Sequence, residues 1–480
     1  MSHSRKANRT QQFLFPPSLD ELVRPDDPAR FLDDLLHTMD LRAMGFIDPP
    51  TDARGRPPWS CELLLRVWLY CYFRHVRSLR QMEIACRERV QLMWLTGMQC
   101  PDHNALHRFF HAHRDALRTL ARDVTRVAAH AGLIDMVLHA LDGTKLRAIC
   151  SMDSALHRKR LLELLNAHGD KAIEEVFAQL EALYKTEHRT GEHLPKELST
   201  PDARKQVIQK ALAELDSHRA DHLHPREPEA RVMKGHNEAK LRLDYNAQVV
   251  TDGEFIVAQD VTNDETDHTL LTPMLDQALD TLGTRPDATA VDAGYVSGRE
   301  LAQAETHHHE VVVPPGSVDA PTASADAPFD KAHFRYDAER DVYVCPLGTV
   351  LPLWRLTRSR PREPELKVYR CTNTTCPERG RCTRDEATGR TVRHPTDRAA
   401  LDRQASKQPP GSERRAAYEW RKVLVERVFG LLKWNDGFRR FTVWGRASAR
   451  AQWALVCAAF NVRALYRRWR VGEFRLAATG

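Results

Sequence analysis

The sequence predicts an α/β core preceded by a helical domain. Three observations predict it. Residues 13–132 carry the spacing of amphipathic helices, while apolar runs of strand length, MVLHALD and ATAVD, appear only after Met136, and these two runs end on aspartates, Asp142 and Asp292. The chain has 480 residues, 42% hydrophobic and 28% charged, enough to bury real cores. Its longest apolar stretches, Leu63 to Phe73 and Ala451 to Val462, fall well short of the roughly 20 residues a spanning helix needs, which excludes a membrane protein. The opening MSHSRKANRTQQ lacks the apolar centre of a signal peptide, and ten cysteines in so long a chain form no disulfide framework. The expectation is a reducing, cytoplasmic protein.

Residues 1–12 are polar and expected to be a disordered tail. Asp27 then caps a helix with Pro28 in its first turn, Ser60 caps CELLLRVWLYCYFRHV, and Ser78 caps LRQMEIACRERV. Asp102 opens a long periodic segment that Gly132 stops. This segment is studded with His103, His107, Arg108, His111, His113 and Arg114, so residues 13–132 suit either a DNA-reading helix-turn-helix or plain packed surface helices.

After the strand that ends at Asp142, helical spacing returns over 153–218 and predicts a helical insertion, bounded at 150–230. LRLDYNAQVV and EFIVAQDV form a hairpin across Thr251, Asp252 and Gly253. A helix over about 267–282, the strand ATAVD and the strand EVVVP follow. Residues 314–411 read as linker and a cysteine-rich insertion with little core of its own, and residues 412–480 as two further helices that complete the α/β domain of 133–313.

Charge is uneven. Residues 413–480 hold 15 Lys+Arg against 5 Asp+Glu, while the net charge of the whole chain is only +6. Basic surface of this kind suits phosphate, though a solvated arginine-rich helix face serves equally.

A carboxylate at a strand's end stands where ligands of α/β folds bind. Taken alone, Asp142 and Asp292 are better explained as turn or cap residues, and Glu426 as a partner of Lys422 at i−4. Together, two strand-end aspartates and a helix glutamate suit hard divalent cations, and paired metals about 3.5–4 Å apart stabilise the attacking and leaving oxygens of phosphoryl displacement.

LDGTKLRA at 141–148, DYNAQVVTDGEFIVAQDVTNDETD at 244–267, AVDAGYVS at 290–297 and VERVFGLLKWNDGFRRF at 425–441 resemble, in order and spacing, the DDE transposases of bacterial insertion sequences. FLFPPSLDELV and PDHNALHRF extend the resemblance to the N-terminal domain, and the branch it is similar to is the eleven-eighty-two branch of the insertion-sequence-four superfamily. The resemblance implies an RNase H-like core with Asp142, Asp292 and Glu426 holding two Mg²⁺ or Mn²⁺. It implies double-stranded DNA as partner, both terminal inverted repeats and target, a homo-oligomer (a dimer) on DNA, and work at the bacterial nucleoid. In the superfamily a Tyr, an Arg and a Lys accompany the glutamate. Lys433 fits that spacing, whereas Tyr418 and Arg421 lie one residue too far from Glu426 and Lys422 has the Arg spacing. Helical geometry favours Lys422, about 40° from Glu426, over Arg421, about 140° away. The DNA-binding candidates are Lys145, Tyr418, Arg421, Lys422 and Lys433.

Cys345, Cys371, Cys376 and Cys382 cluster as C-x25-C-x4-C-x5-C. Four thiolates suit a tetrahedral structural Zn²⁺, and four reduced thiols are the alternative. His307, His308 and His309 read as a solvated run, and Asp264, Glu265 and Asp267 as helix-capping acids. The functional expectation is a transposase that cleaves and joins DNA. The rivals are a metal-dependent nuclease that cuts without joining and a non-catalytic, zinc-stabilised DNA-binding protein.

Overall fold

The computed structural model describes residues 18–49, 57–151, 155–157, 162, 178, 200–218, 222–224, 226–234, 241–318, 328–357, 365–385, 387–395 and 398–476. The chain divides into two compact units, one of Met1–Val124 with Leu455–Gly480 and one of Thr125–Ala454. Residues 455–480, read above with the α/β domain, therefore group with the helical unit.

In the helical unit the sequence signals act as local physics predicts. The Asp27 carboxylate accepts the Ala29 N–H at 2.9 Å with Pro28 in the first turn, and the Ser60 hydroxyl accepts the Leu63 N–H. Ser78 sits at its cap position without a side-chain bond. Phe31 packs on Tyr466 and Trp469, and Trp68 on Phe110. The segment opened by Asp102 is two helices, His103–Ala112 and one starting at Arg114, because the chain breaks at His113. That ring packs on Phe46 and Phe109 and meets the Cys61 thiol, while His103 pairs with Glu83. These two histidines hold helices together.

The second unit is built on a six-stranded sheet. Strand β1 is Leu138–Arg147, a short pair β2 (Leu156–His157) and β3 (His222–Leu223) follows, and β4 (Arg231–Lys234), β5 (Leu241–Thr251), β6 (Ile256–Thr262), β7 (Ala288–Val291) and β8 (Val311–Val312) complete it. The order is β4-β5-β1-β7-β8, with β6 also on β5. β5 runs antiparallel to β1, and its other edge is shared by β4 along 241–244 and by β6 along 246–251. β7 and β8 run parallel to β1, each reached through a helix, Leu271–Leu282 or Gly298–Thr306. The expected hairpin is present, with Gly253 at φ 95°, a left-handed conformation that glycine adopts without a Cβ clash.

Two expectations change. Asp142 lies inside β1, because antiparallel pairing to β5 carries the strand on to Arg147; only its parallel partner stops at Leu141. The polar stretch before Gly411 contains a helix, Arg398–Lys407. Its Gln404 donates to the Val311 carbonyl at 2.7 Å, and Gln408 both donates to the Val313 carbonyl at 2.8 Å and accepts the Val313 N–H at 3.1 Å. Of the predicted helical insertion, Pro201–His218 is helical, and most of 153–199 lies outside the described residues. Among the described residues no helix is long and apolar enough to cross a membrane.

The cysteine-rich segment has a core after all. Strands β9 (Arg335–Asp337), β10 (Val342–Val344) and β11 (Val350–Leu351) form one antiparallel sheet, and β12 (Leu353–Thr357), β13 (Leu366–Arg370) and β14 (Thr391–Pro395) another. Phe334, Tyr343, Leu351, Tyr369 and Val392 are buried between them. Alternating β-prone aromatics stand in strands too short and too charged to be recognised as such.

Candidate active site

Strand register explains why two acids distant in sequence meet. Leu141 of β1 stands opposite Val291 of β7, so the next residues, Asp142 and Asp292, fall side by side where parallel pairing ends, on strands about 4.8 Å apart. Arg421 reaches both from the helix Trp420–Gly430, which packs along β1. Its Nη2 lies 3.5 Å from Asp142 Oδ2 and 3.3 Å from Asp292 Oδ1, and its side chain is only 8% exposed. Its Nε is buried without a hydrogen-bond partner.

The pair is short of positive charge. Burial pushes the Asp142 carboxyl up to about 6; Arg421 and the Gly143 N–H, 2.8 Å from Oδ1, pull it down, and the charges of Asp292 and Asp267 raise it. One shared guanidinium does not offset desolvation plus two neighbouring acids. An all-oxygen donor pair in this state suits a hard divalent cation, so Asp142 and Asp292 fit the metal that the resemblance implies.

The other site residues are placed as follows. Tyr418 lies close enough to feel Asp292 and Asp142, although burial is the main reason its hydroxyl is harder to ionise. Arg421, not Lys422, stands with the aspartates, and Lys422 is exposed. This corrects the preference for Lys422 drawn from spacing, because that angle was measured from Glu426. With Arg421 turned inward, Glu426, about 140° further round the helix, is exposed and makes no hydrogen bond or ion pair among the described residues. The structure thus brings together two of the three carboxylates. Lys433 stands in the π-helical turn Leu431–Asn435 and donates to the Thr144 hydroxyl, on the same face of β1 as Asp142. It does not pair with Glu426. Burial, with Arg242 nearby, lowers its affinity for a proton.

Lys145 points to the opposite face, 3.8 Å from Asp267, and burial likewise lowers its proton affinity. Asp267 is no helix cap: its Oδ1 accepts the amides of Asn246 at 2.6 Å and Gln248 at 2.8 Å, and Gln248 in turn accepts the Tyr295 hydroxyl. Gly143 leaves room for this network, since a Cβ there would stand 2.2 Å from Gln248 Nε2. Sequence reading missed Asn246, Gln248 and Tyr295. The signal was two amides spaced by two in the strand LRLDYNAQVVT, which puts both on one face.

The four cysteines stand just after β10, just after β13 and around the helix Arg379–Cys382, and no three of their sulfurs lie within 4.8 Å of one another. Burial raises the Cys382 thiol, and Cys371, Cys345 and Cys376 are close enough to raise it further against Arg390. The Thr349 N–H donates to Cys345 Sγ at 3.3 Å, the kind of bond that stabilises a thiolate ligand. All four are free of disulfides and half-buried.

Residues 344–466 match the family model described as "Transposase DDE domain", a span that holds the cysteines, Arg421, Glu426 and Lys433. Residues 17–112 match the model described as "Transposase domain (DUF772)". No curated protein and no solved structure matches the chain. The two family matches, at either side of the aspartate pair, support a DDE transposase of the insertion-sequence type, and with it polynucleotidyl transfer on DNA as the general activity.

Proposed function

We propose that this chain cleaves the ends of its own insertion sequence and joins the freed 3′-hydroxyl to target DNA. The observation that carries the reading is the register of β1 and β7, which sets Asp142 beside Asp292 between the two transposase matches. The order β6-β5-β1-β7-β8, with the last two strands parallel to β1, supports an RNase H-like core, and the resemblance on both sides of it supports the eleven-eighty-two branch. Two Mg²⁺ or Mn²⁺ ions held by Asp142, Asp292 and Glu426 would stabilise the attacking and leaving oxygens of the displacement. Arg421, which pairs with both, holds the aspartates together. Tyr418 and Lys433 line the approach to them, with Lys422 and Lys145 as further phosphate contacts, and a homo-oligomer holds two DNA ends at once. The cysteines hold a structural Zn²⁺.

Incubation of the protein and Mg²⁺ with a duplex carrying the repeats that flank its coding region, plus a plasmid, tests the reading. Plasmid strands covalently joined to the duplex end are expected. Nicking with no joined product would give the nuclease reading, and binding with no nicking the non-catalytic one.

Lys433→Ala carries a separate expectation. Each phosphate contact contributes about 0.9 to the log–log salt slope of binding, so the variant's slope should fall by roughly that amount on terminal-repeat and random duplexes alike, since phosphates carry no base identity. An unchanged slope would leave Lys433 as the partner of Thr144 alone.

A further inference from the structure

His307 and His309 of the histidine run face one carboxylate, while His308 is exposed. Asp276 lies on the helix Leu271–Leu282, His307 caps the C-terminus of Gly298–Thr306, and His309 precedes β8. His308 has φ 59°, the left-handed region that a residue with a side chain rarely enters. That kink turns His307 and His309 toward one carboxylate. His307 Nδ1 stands 3.0 Å from both Asp276 oxygens, and His309 Nε2 2.7 Å from Oδ1. The three ligand atoms all lie within 4.8 Å of one another, the one such set of His, Cys, Asp and Glu among the described residues.

We propose that Asp276, His307 and His309 form a site for a first-row transition cation of the Zn²⁺ class, separate from the aspartate pair and from the cysteines. Two imidazole nitrogens and one carboxylate oxygen are borderline donors that select Zn²⁺, Co²⁺ or Ni²⁺ over Mg²⁺. At ligand bonds of about 2.0–2.1 Å, tetrahedral ligand atoms are about 3.3 Å apart, so the two carboxylate–imidazole pairs, at 3.0 and 2.7 Å, need open only slightly, while the two imidazole nitrogens stand within 4.8 Å of each other. Access is one-sided: His309 is 5% exposed, while His307 at 40% and Asp276 at 38% border solvent, leaving room for water to complete the coordination. The alternative is a carboxylate that simply accepts two imidazole N–H bonds. That pairing also lowers the Asp276 carboxyl against the opposing effect of burial, so it accounts for the rotamers without a cation. The left-handed His308 belongs to the helix's C-terminal cap, where the His308 N–H bonds the Glu305 carbonyl at 3.0 Å and the His309 N–H the Ala304 carbonyl at 2.8 Å, so metal binding itself is what separates the two. A cation would tie the helix Leu271–Leu282 to the two-residue strand at the sheet's edge.

Co²⁺ added to the chelator-stripped full chain tests this, because thiolate ligation gives strong sulfur-to-metal absorption in the near ultraviolet and an imidazole/carboxylate site gives only weak visible bands. The parent should bind one Co²⁺ equivalent with the weak spectrum that both variants lack, over and above any held by the cysteines or by the aspartate pair. His307→Ala, at the exposed position, should lose that equivalent and its bands, keep its metal-free melting temperature, and lose the Zn²⁺-dependent rise in melting temperature attributable to the site. Asp276→Asn should behave alike. Equal stoichiometry and spectra in parent and both variants would overturn the proposal, as would a parent whose only Co²⁺ bands are thiolate bands.

Discussion

Asp292→Ala is expected to bind DNA and leave it uncut. Metal ligation supplies several kcal/mol of charge stabilisation in a phosphoryl transition state, and each 1.36 kcal/mol is tenfold in rate, so the loss is on the order of a thousandfold or more for Asp292→Ala and Asp142→Ala. Glu426→Ala should lose as much if its carboxylate joins them. Substitutions within one metal centre are not additive, and the double variant should be little worse than either single. A fold defect would look the same in a cleavage assay, and the Asp142 carboxyl separates the two. Its affinity for a proton rises on folding from the ordinary 3.8 to about 6, so folding takes up a proton between those values, and the stability of the metal-free protein falls as pH rises through that window and stays lower above it. Asn has no proton to lose. Asp142→Asn should therefore melt higher than the parent above about pH 6 without metal, show no such gain below about pH 4, and still fail to cut. A variant that nicks DNA at the parent rate would remove its residue from the centre.

Cys376→Ser is the second large effect. Structural Zn²⁺ contributes about 10–16 kcal/mol of apparent binding free energy in zinc-finger peptides at neutral pH. Protein purified without chelator should carry one thiolate-bound Zn²⁺ per chain, and the variant should lose it. The consequence should be local. Amide exchange should quicken over 371–390, where Cys371 and Cys376 lie outside regular structure and Cys382 ends a one-turn helix, while β10 and β13 stay protected by the cluster of Tyr343, Tyr369 and Leu351 and by Asp341, which Tyr336, Tyr369 and Lys367 hold ionised down to about 2. Absence of zinc from the parent, with the cysteines still reduced, would retire the metal.

The α/β core was legible because its strands are apolar, short and bounded by turns, and because two of them end their parallel pairing on an acid. The pairing itself was not: nothing in MVLHALD or ATAVD tells which strand each will join, and the register of Leu141 with Val291 is what turns two aspartates into a site. Helix faces failed for a related reason. Spacing relates Lys422, Arg421 and Glu426 to one another, but only packing against β1 decides which of them turns inward. His307 and His309 were misread because a regular strand was assumed where His308 is left-handed. The strands of the cysteine-rich segment were missed because their aromatic pairs act across strands, which a linear reading does not see.

Gln404 and Gln408 have a further consequence. A glutamine side-chain amide carries the same C=O and N–H as a peptide unit, and Gln408 offers both to Val313 as a neighbouring strand would. The last edge of the sheet is therefore saturated by a helix posing as a strand. Sheet edges left open recruit other chains, and this one is closed over Val311 and Val313 in a protein proposed to assemble with copies of itself on DNA. Copies of this chain cannot join there by extending the sheet. A partner copy must therefore dock elsewhere on the surface.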